Sequence, residues 1–243
     1  MYKDWIFITE PIGNNIFSHD KRIALWSTWK IYVPSLIKWS VEDVEIGTEI
    51  AFEEAENGKL ISCIWLKHFV QLEYHGKQIF IVDNHNHALS FRYWTKWSTP
   101  FKERGRYPEG MGDFLTLIHI DQHSDTKDNT NILSQDEEIE DFVNKKTNVG
   151  NFIPAAINSW IINEVIQVRT DTKLQEFAIR NPQSDNPIIL DIDIDFRVDK
   201  EATENDFEII RNLITKAEIV TIATSPYFID QTKAIEIIKK ILQ

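Results

Sequence analysis

The chain has 243 residues, of which 26 are basic and 38 acidic, so its formal net charge is −12. This acidic balance argues against a nucleic-acid partner, because phosphate binding needs a basic face. A single cysteine, Cys63, excludes an internal disulfide and fits a reducing cytoplasm. The N-terminal residues MYKDWIFITE lack the apolar core of a signal peptide, and no run approaches the ~18–20 apolar residues of a membrane span. We therefore expect a cytoplasmic protein with no membrane partner.

The first half of the chain has the residue pattern of β structure, with β-branched and aromatic runs separated by polar turns. Its predicted elements are strands at 4–9, 59–74 and 77–82, a short helix at 88–97, a loop at 98–112 and a buried strand at 113–121. The last of these strands, DFLTLIHID, is the most apolar and is expected to lie in the core.

Strands and helices alternate in the second half. The predicted elements are helices at 134–146, 151–166, 204–217 and 230–242, and strands at 186–196 and 218–224. Ser134 with Glu137, and Thr203 with Asp206, have the spacing of helix-capping boxes. The alternation predicts an α/β fold, a three-layer sandwich whose mainly parallel central sheet has helices on both faces. We expect one domain over residues 1–243, with a β-rich N-terminal elaboration at 1–60.

Two strands end in regularly spaced acidic residues. LIHIDQHSDT (117–126) places Asp121, His123 and Asp125 two residues apart after an apolar lead-in, and IILDIDIDF ends in three aspartates with the same spacing, Asp191, Asp193 and Asp195. Residues two apart on an extended strand share one face and stand about 6.6 Å apart. Ligands bind beyond the carboxyl ends of parallel strands, so neighbouring strands would bring these side chains together.

A bound cation is the natural explanation for so many converging carboxylates, because unpaired buried charges cost several kcal/mol each by rough order of magnitude. Carboxylate and imidazole ligands favour Mn²⁺, Fe²⁺, Zn²⁺ or Mg²⁺, and two ions bridged by one aspartate would fit this number of ligands. The alternative is that each acidic run simply turns into solvent at the end of a strand.

A third motif, FIVDNHNHALS (80–90), carries His85 and His87 after another strand. Two histidines at this spacing are better ligand candidates than an isolated one, but the spacing does not decide which of them binds. His119, two residues before Asp121, would be either a supporting hydrogen-bond partner or a core histidine, and we favour the core.

The three motifs together resemble the arginase/deacetylase (ureohydrolase) superfamily, whose metal site combines Asp-x-His-x-Asp and Asp-x-Asp strand ends with a histidine from an earlier strand. DQHSD matches the first, DIDID contains the second twice, and HALS (87–90) is similar to the family's His-Ser-Leu-Ala. The resemblance implies an arginase/deacetylase-like fold and two Mn²⁺ ions. Their ligands would be His87, Asp121, His123, Asp125, Asp193 and Asp195.

Over roughly residues 60–230 the chain is most similar to a branch of that superfamily, the uncharacterised protein family 0489, through VDNHNHAL, HIDQHSD, LDIDIDF and TIATSPYF. In that branch the histidine that corresponds to His85 is the more regular of the two, so either His85 or His87 could be the metal ligand. The branch includes peptide arginases, which hydrolyse arginine side chains within a ribosomally made precursor peptide to ornithine and urea. The resemblance implies that activity, with an arginine-containing precursor peptide as partner; self-association into a homo-oligomer stays open.

Two departures from the arginase pattern affect the expected catalytic residues. The guanidinium-binding Glu of small-molecule arginases is replaced here by Ala223 or Thr224, so Asp191 or Asp83 would have to take that role. The loop histidine that shuttles protons is also missing, and the corresponding region offers Asn148 and Asn151. The resulting assignment makes His85 and Asp191 catalytic, and Asp83, Asn148, Asn151 and Thr224 substrate-binding.

Other interpretations remain open. Without the guanidinium-binding Glu, the chain would also suit deacetylase-like amide hydrolysis with one Zn²⁺ and Tyr227 opposite the metal. A non-catalytic metal- or peptide-binding protein is the third alternative. The aromatic residues Tyr93, Trp94 and Trp97 would either line a peptide groove or pack in the core.

Overall fold

The computed structural model describes residues 1–91, 115–180, 187–197 and 202–243. Its strands are β1 (Ile6–Ile8), β2 (Ile31–Val33), β3 (Leu36–Lys38), β4 (Ile46–Glu56), β5 (Lys59–Leu66), β6 (Phe69–Tyr74), β7 (Lys77–Val82), β8 (Thr116–Ile120), β9 (Glu164–Val168), β10 (Ile188–Asp193) and β11 (Ile219–Ala223). Its α-helices include α1 (His19–Ala24), α2 (Ile139–Lys146), α3 (Phe152–Asn158), α4 (Asp171–Arg180), α5 (Glu204–Lys216) and α6 (Gln231–Ile241), with short 3-10 turns at Gly13–Ile16, Val41–Asp43, His85–His87 and Ile194–Arg197.

Seven strands form the central sheet in the order β3-β6-β7-β11-β10-β8-β9. The five strands from β7 to β9 are parallel to their neighbours, whereas β6 is antiparallel to β7. The strands β1 and β2 pair with each other, as do β4 and β5, in two small antiparallel sheets. The predicted α/β class with a mainly parallel central sheet is therefore confirmed.

Two apolar clusters cover the two faces of this sheet. On one face Leu190 and Val220 pack with residues of α4, α5 and α6, while on the other Leu117 and Ile189 pack with α2 and α3. Buried parallel strands need apolar residues on both faces, which explains why IILDID and IVTIA are nearly continuous apolar runs, interrupted only by Asp191, Asp193 and Thr221. Helices thus lie on both sides of the sheet, as a layered α/β arrangement requires.

The second half of the chain corrects two sequence predictions. Helix α3 ends at Asn158, and residues 164–168 form the edge strand β9 rather than the end of a helix. Trp160 has a positive φ of 57°, which breaks the helix, and the following EVIQV pairs in parallel with β8. Helix α2 begins at Ile139, not near Ser134, because Glu137 forms an ion pair with Lys146 instead of closing a capping box.

The remaining elements lie close to their predicted positions or outside the described residues. Thr203 and Asp206 form the capping box of α5, and the run at 59–74 divides into β5 and β6. Residues 88–91 are helical; the rest of the expected helix with Tyr93, Trp94 and Trp97, and the expected loop at 98–112, lie outside the described residues. Within the described part of the chain, every helix is too short or too polar to cross a bilayer.

The carboxyl ends of four adjacent strands meet at one edge of the sheet. In register, Val82 of β7 lies beside Ala223 of β11, which lies beside Asp193 of β10. The next strand, β8, ends at Ile120 opposite Ile192. The segments that follow these strands are the three motifs singled out above, together with TSPYF after β11.

Candidate metal centre

The acidic strand ends converge on His85. Its Nδ1 atom lies 3.1 Å from Asp121 Oδ2, 3.3 Å from Asp125 Oδ2 and 3.2 Å from Asp193 Oδ2. All four side chains are buried. One ring nitrogen has a single lone pair or a single proton, so it cannot bond to three carboxylates at once, and the group has more acceptors than donors.

His119 joins the same group from the interior of β8. Its Nε2 atom lies 3.2 Å from Asp121 Oδ2 and 3.9 Å from Asp125 Oδ2, without a well-aligned hydrogen bond. His85, His119, Asp121 and Asp125 therefore present four ligand atoms that lie within 4.8 Å of one another. The sequence interpretation of His119 as a core histidine understated its role.

Asp191 lies behind both rings. Its Oδ2 is 2.9 Å from His119 Nδ1 and 2.8 Å from His85 Nε2, and the Thr221 hydroxyl donates to Oδ1. A carboxylate on the rear nitrogen of an imidazole fixes the tautomer and leaves the front nitrogen to face a metal ion. Asp191, which we expected to be catalytic, thus holds His119 by a hydrogen bond and lies beside His85 on the side away from Asp121 and Asp125.

A second group adjoins the first through Asp121. His123 Nδ1 lies 2.9 Å from Asp195 Oδ2 and 3.5 Å from Asp121 Oδ1, and these three residues again bring their ligand atoms within 4.8 Å of one another. Asp121 is common to both groups, one carboxylate oxygen facing each.

Local backbone features aim these side chains. The amide of His123 donates to Asp121 Oδ1 at 2.5 Å, and the amide of Asp195 donates to Asp193 Oδ1 at 3.0 Å. Ser225 Oγ donates to Asp193 Oδ2 at 2.5 Å. Asp125 and Ser225 both have positive φ angles, 52° and 44°, a left-handed conformation that aspartate tolerates better than most residues. The chain thus turns sharply at the two strand ends that enclose the cluster.

The pKa values of the aspartates in the cluster are shifted by burial and by their charged neighbours. Burial opposes ionisation of Asp195 and, with the charge of Asp193, raises the pKa of Asp195 to about 7. Burial likewise raises the pKa of Asp125. Burial also opposes ionisation of Asp121, yet contacts with His119, His123 and His85 outweigh it and lower the pKa of that carboxyl far below its ordinary value.

The residues present fit a divalent cation. Both oxygens of Asp195 and Nε2 of His119 are buried without a hydrogen-bond partner among the described residues. In the same part of the chain, no lysine or arginine forms an ion pair with Asp121, Asp125 or Asp195. Buried polar atoms are almost always satisfied, so a shared cation is the simplest partner for these. The buried group around His85 is compatible with a metal site.

His87 does not reach this cluster. Its Nδ1 atom is 2.8 Å from the hydroxyl of Tyr2, and its ring makes an edge contact with Tyr2 and a tilted contact with Phe69. Burial lowers the pKa of His87 to about 3, so the ring is neutral. The geometry therefore favours the reverse of our assignment: His85, expected to be catalytic, has the position of a ligand, and His87, expected to be a ligand, does not.

A cleft of about 320 Å³ opens onto the cluster. Its floor includes His85, Asp125, Asp193 and the half-exposed His123, and its walls carry aromatic rings from two regions of the chain. The wall residues are Phe17, Phe52, Tyr227 and Phe228. The cleft gives the cluster access to a small group or a side chain entering from solvent.

The four predicted substrate-binding residues do not line this cleft. Asn151 accepts at its side-chain oxygen from the amide of Asn148, whose own side chain accepts from the amide of Gly150, so both asparagines hold their loop. Asp83 is buried and 3.8 Å from His87, and burial raises its pKa to about 7. Thr224 is buried and bonds through its backbone to Val82. Sequence reasoning did not single out Glu54, Ser225 or Phe228, which are in the lining.

Comparisons of this chain with protein-family models, with curated proteins and with solved structures give no match.

Proposed function

We propose that this protein is a metal-dependent hydrolase that converts peptidyl arginine into peptidyl ornithine and urea. The observation that carries the proposal is the convergence of His85, His119 and buried aspartates at the carboxyl ends of adjacent parallel strands, where α/β proteins bind their ligands. Such a group of hard oxygen and imidazole donors suits Mn²⁺.

The ligand sets for two Mn²⁺ ions follow from the two groups. His85, His119, Asp121 and Asp125 would hold one ion, with Asp193 beside them, and Asp121, His123 and Asp195 would hold the other. Two bound ions would supply a hydroxide nucleophile at neutral pH and stabilise negative charge on the reacting group. The arginase/deacetylase-like fold and the second ion are both part of this proposal.

The chain's own residues do the rest of the work. Asp191 holds the rear nitrogen of His119 by a hydrogen bond and lies 2.8 Å from the rear nitrogen of His85, so that the front nitrogens of both rings face the reaction site. Ser225 holds the Asp193 carboxylate. The aromatic walls exclude water around a long side chain, and their ring faces favour a cationic end such as a guanidinium over an anionic one.

The proposal is tested by turnover. Metal-depleted protein is loaded with Mn²⁺ and incubated with a set of arginine-containing peptides, and the products are followed by mass spectrometry and a urea assay. We expect urea and a peptide that has lost CH₂N₂, and no product from Asp121→Asn. The proposal fails if Mn²⁺-loaded protein releases no urea from any arginyl peptide, or if Asp121→Asn turns over as fast as the native chain.

Amide hydrolysis is the second candidate, favoured by one observation. Tyr227 lines the same cleft, and its hydroxyl, which donates to Glu56 here, would have to turn from that carboxylate to stabilise the oxyanion of a tetrahedral intermediate. Release of acetate from acetyl-lysyl peptides by Zn²⁺-loaded protein, sensitive to Tyr227→Phe, would favour this candidate. Metal binding without turnover on either substrate class would favour a binding protein.

A further inference from the structure

The wall of the cleft opposite the strand ends is built by β4, which lies outside the motifs. Strand β4 is 11 residues long and pairs with β5. Phe52, Glu54 and Glu56 alternate along it and therefore share one face. Phe52 and Glu54 line the cleft, and the Glu56 carboxylate accepts the Tyr227 hydroxyl. Glu54 is thus a cleft carboxylate that belongs to neither metal group.

Glu54 is held in place from both sides of the strand. Its Oε1 accepts a hydrogen bond of 2.7 Å from the Ser18 hydroxyl. On the opposite face, Glu53 forms a fully buried ion pair of 3.2 Å with Arg22, and the Ser62 hydroxyl donates to it at 2.7 Å. This network fixes α1 against β4 and so fixes the backbone that carries Glu54. A preorganised carboxylate loses little entropy on binding a ligand.

Aromatic rings connect Glu54's strand with the metal centre. Ring centroids are 5.1 Å apart from Phe17 to Phe52, 5.2 Å from Phe52 to Tyr227, 5.0 Å from Tyr227 to Phe228 and 4.4 Å from Phe228 to His123. Aromatic faces attract cations, and they pack well against an aliphatic stem. This wall suits a long side chain with a cationic end.

The cleft's own cations do not neutralise Glu54. Arg169 donates to the backbone carbonyl of Gln122, and the Lys127 side chain lies over Gly150. Among the described residues, the hydrogen bond to Glu54 comes from the neutral Ser18, and no lysine or arginine pairs with it. The charge of Arg22 acts on Glu54 across the strand, but no cation among the described residues forms an ion pair with its carboxylate, so a positively charged ligand could pair with it directly.

We propose that Glu54 binds the cationic end of the substrate side chain and determines specificity for it. This inference rests on the proposed function, and it assigns to β4 the guanidinium recognition that the last core strand, with Ala223 and Thr224, does not supply. The charged hydrogen bond from the guanidinium to Glu54 would hold the reacting carbon over the metal centre.

The test compares Glu54→Gln with Glu49→Gln, which removes the same charge from an exposed position on the same strand. With an arginyl peptide we expect kcat/KM of Glu54→Gln to fall about 10- to 100-fold, as loss of a charged hydrogen bond implies. The Mn²⁺ affinity should stay unchanged, and Glu49→Gln should behave as the native chain. Equal kcat/KM for the two variants would overturn the inference.

Binding measurements separate this inference from the proposed function. If the native protein hydrolyses no arginyl peptide, the proposed function fails, and the role of Glu54 is then tested by calorimetry on Mn²⁺-loaded protein. An arginyl peptide should bind more tightly than its neutral citrullyl counterpart, and Glu54→Gln should abolish that preference. If the native chain binds the two peptides equally, or if Glu54→Gln keeps the preference, Glu54 does not recognise the cation.

Discussion

Two histidines two residues apart, His85 and His87, have opposite surroundings. His85 faces three carboxylates, whereas His87 faces the hydroxyl of Tyr2 and the ring of Phe69. Burial opposes protonation of both rings. Around His85 the charges of Asp191 and Asp193 outweigh that effect and raise its pKa well above the ordinary value, while nothing offsets burial at His87, whose pKa falls to about 3.

The difference comes from the local backbone. Residues 85–87 form a 3-10 turn, in which successive side chains point about 120° apart around the axis. Two residues along, the side chains diverge, so only one of the pair can face the strand ends of β8 and β10. In a β strand the same spacing would have placed both histidines on one face. A ligand assignment from spacing therefore depends on which of these two conformations the segment adopts.

The largest expected effect comes from Asp121→Asn, because Asp121 belongs to both groups around His85 and His123. The change keeps the shape of the side chain and removes its charge. We expect Mn²⁺ affinity, measured by calorimetry, to fall by more than the roughly 10–100-fold that loss of a supporting residue costs. The control is Asp141→Asn, an exposed carboxylate paired with Lys145 on α2. Equal Mn²⁺ affinities in the two variants would mean that the Asp121 carboxylate beside His85 does not bind the ion.

His119→Gln sharpens the comparison by testing a third histidine. If His119 faces the ion as His85 does, its loss should weaken Mn²⁺ binding by more than the roughly 10–100-fold that loss of a supporting residue costs. If His119 is a core residue like His87, the Mn²⁺ affinity should stay the same and the free energy of unfolding should fall. The exposed His75→Gln is the matched control, and circular dichroism confirms that each variant is folded. A Mn²⁺ affinity equal to that of His75→Gln would show that His119 is a core residue and not a ligand.

Tyr2→Phe tests the other side of the comparison and has the smallest expected effect. The change leaves the buried His87 Nδ1 without its hydroxyl partner but keeps the ring contacts with Phe69 and Phe91. We expect the free energy of unfolding in urea to fall by about 1–3 kcal/mol, with unchanged Mn²⁺ affinity. Tyr74→Phe, at a half-buried position, should change the stability less. A large loss of Mn²⁺ affinity in Tyr2→Phe would mean that the His87 region serves the metal site after all.

Much of the fold was predictable because the parallel strands are apolar on both faces. The apolar runs IILDID and IVTIA are typical of buried strands. The capping box of Thr203 and Asp206 marked the start of α5. The edge strand β9 was missed because EVIQV follows an apolar helix without an intervening Gly or Pro. The turn at Trp160 depends on a positive φ that its residue type does not predict.

The candidate site was predictable where ligands share a strand end and not where they come from elsewhere. Asp121, Asp125 and Asp193 were identified because they lie at or just after the carboxyl ends of the apolar strands β8 and β10, where ligands bind. His119 lies inside β8, where a histidine next to apolar residues usually belongs to the core. Glu54 lies about 30 residues before the FIVDNHNHALS motif (80–90). It is on a hairpin whose contact with the cleft is set by tertiary packing that no local pattern encodes.

The most direct test of the account is a Mn²⁺ titration of metal-depleted His85→Ala and His87→Ala, followed by isothermal calorimetry and compared with the native chain. The account predicts that His85→Ala loses tight Mn²⁺ binding, because it removes the imidazole around which Asp121, Asp125 and Asp193 gather. It predicts that His87→Ala binds Mn²⁺ as the native chain does, with a lower stability. Tight binding in His85→Ala, or its loss in a folded His87→Ala, would contradict the central claim that the metal centre is built on His85.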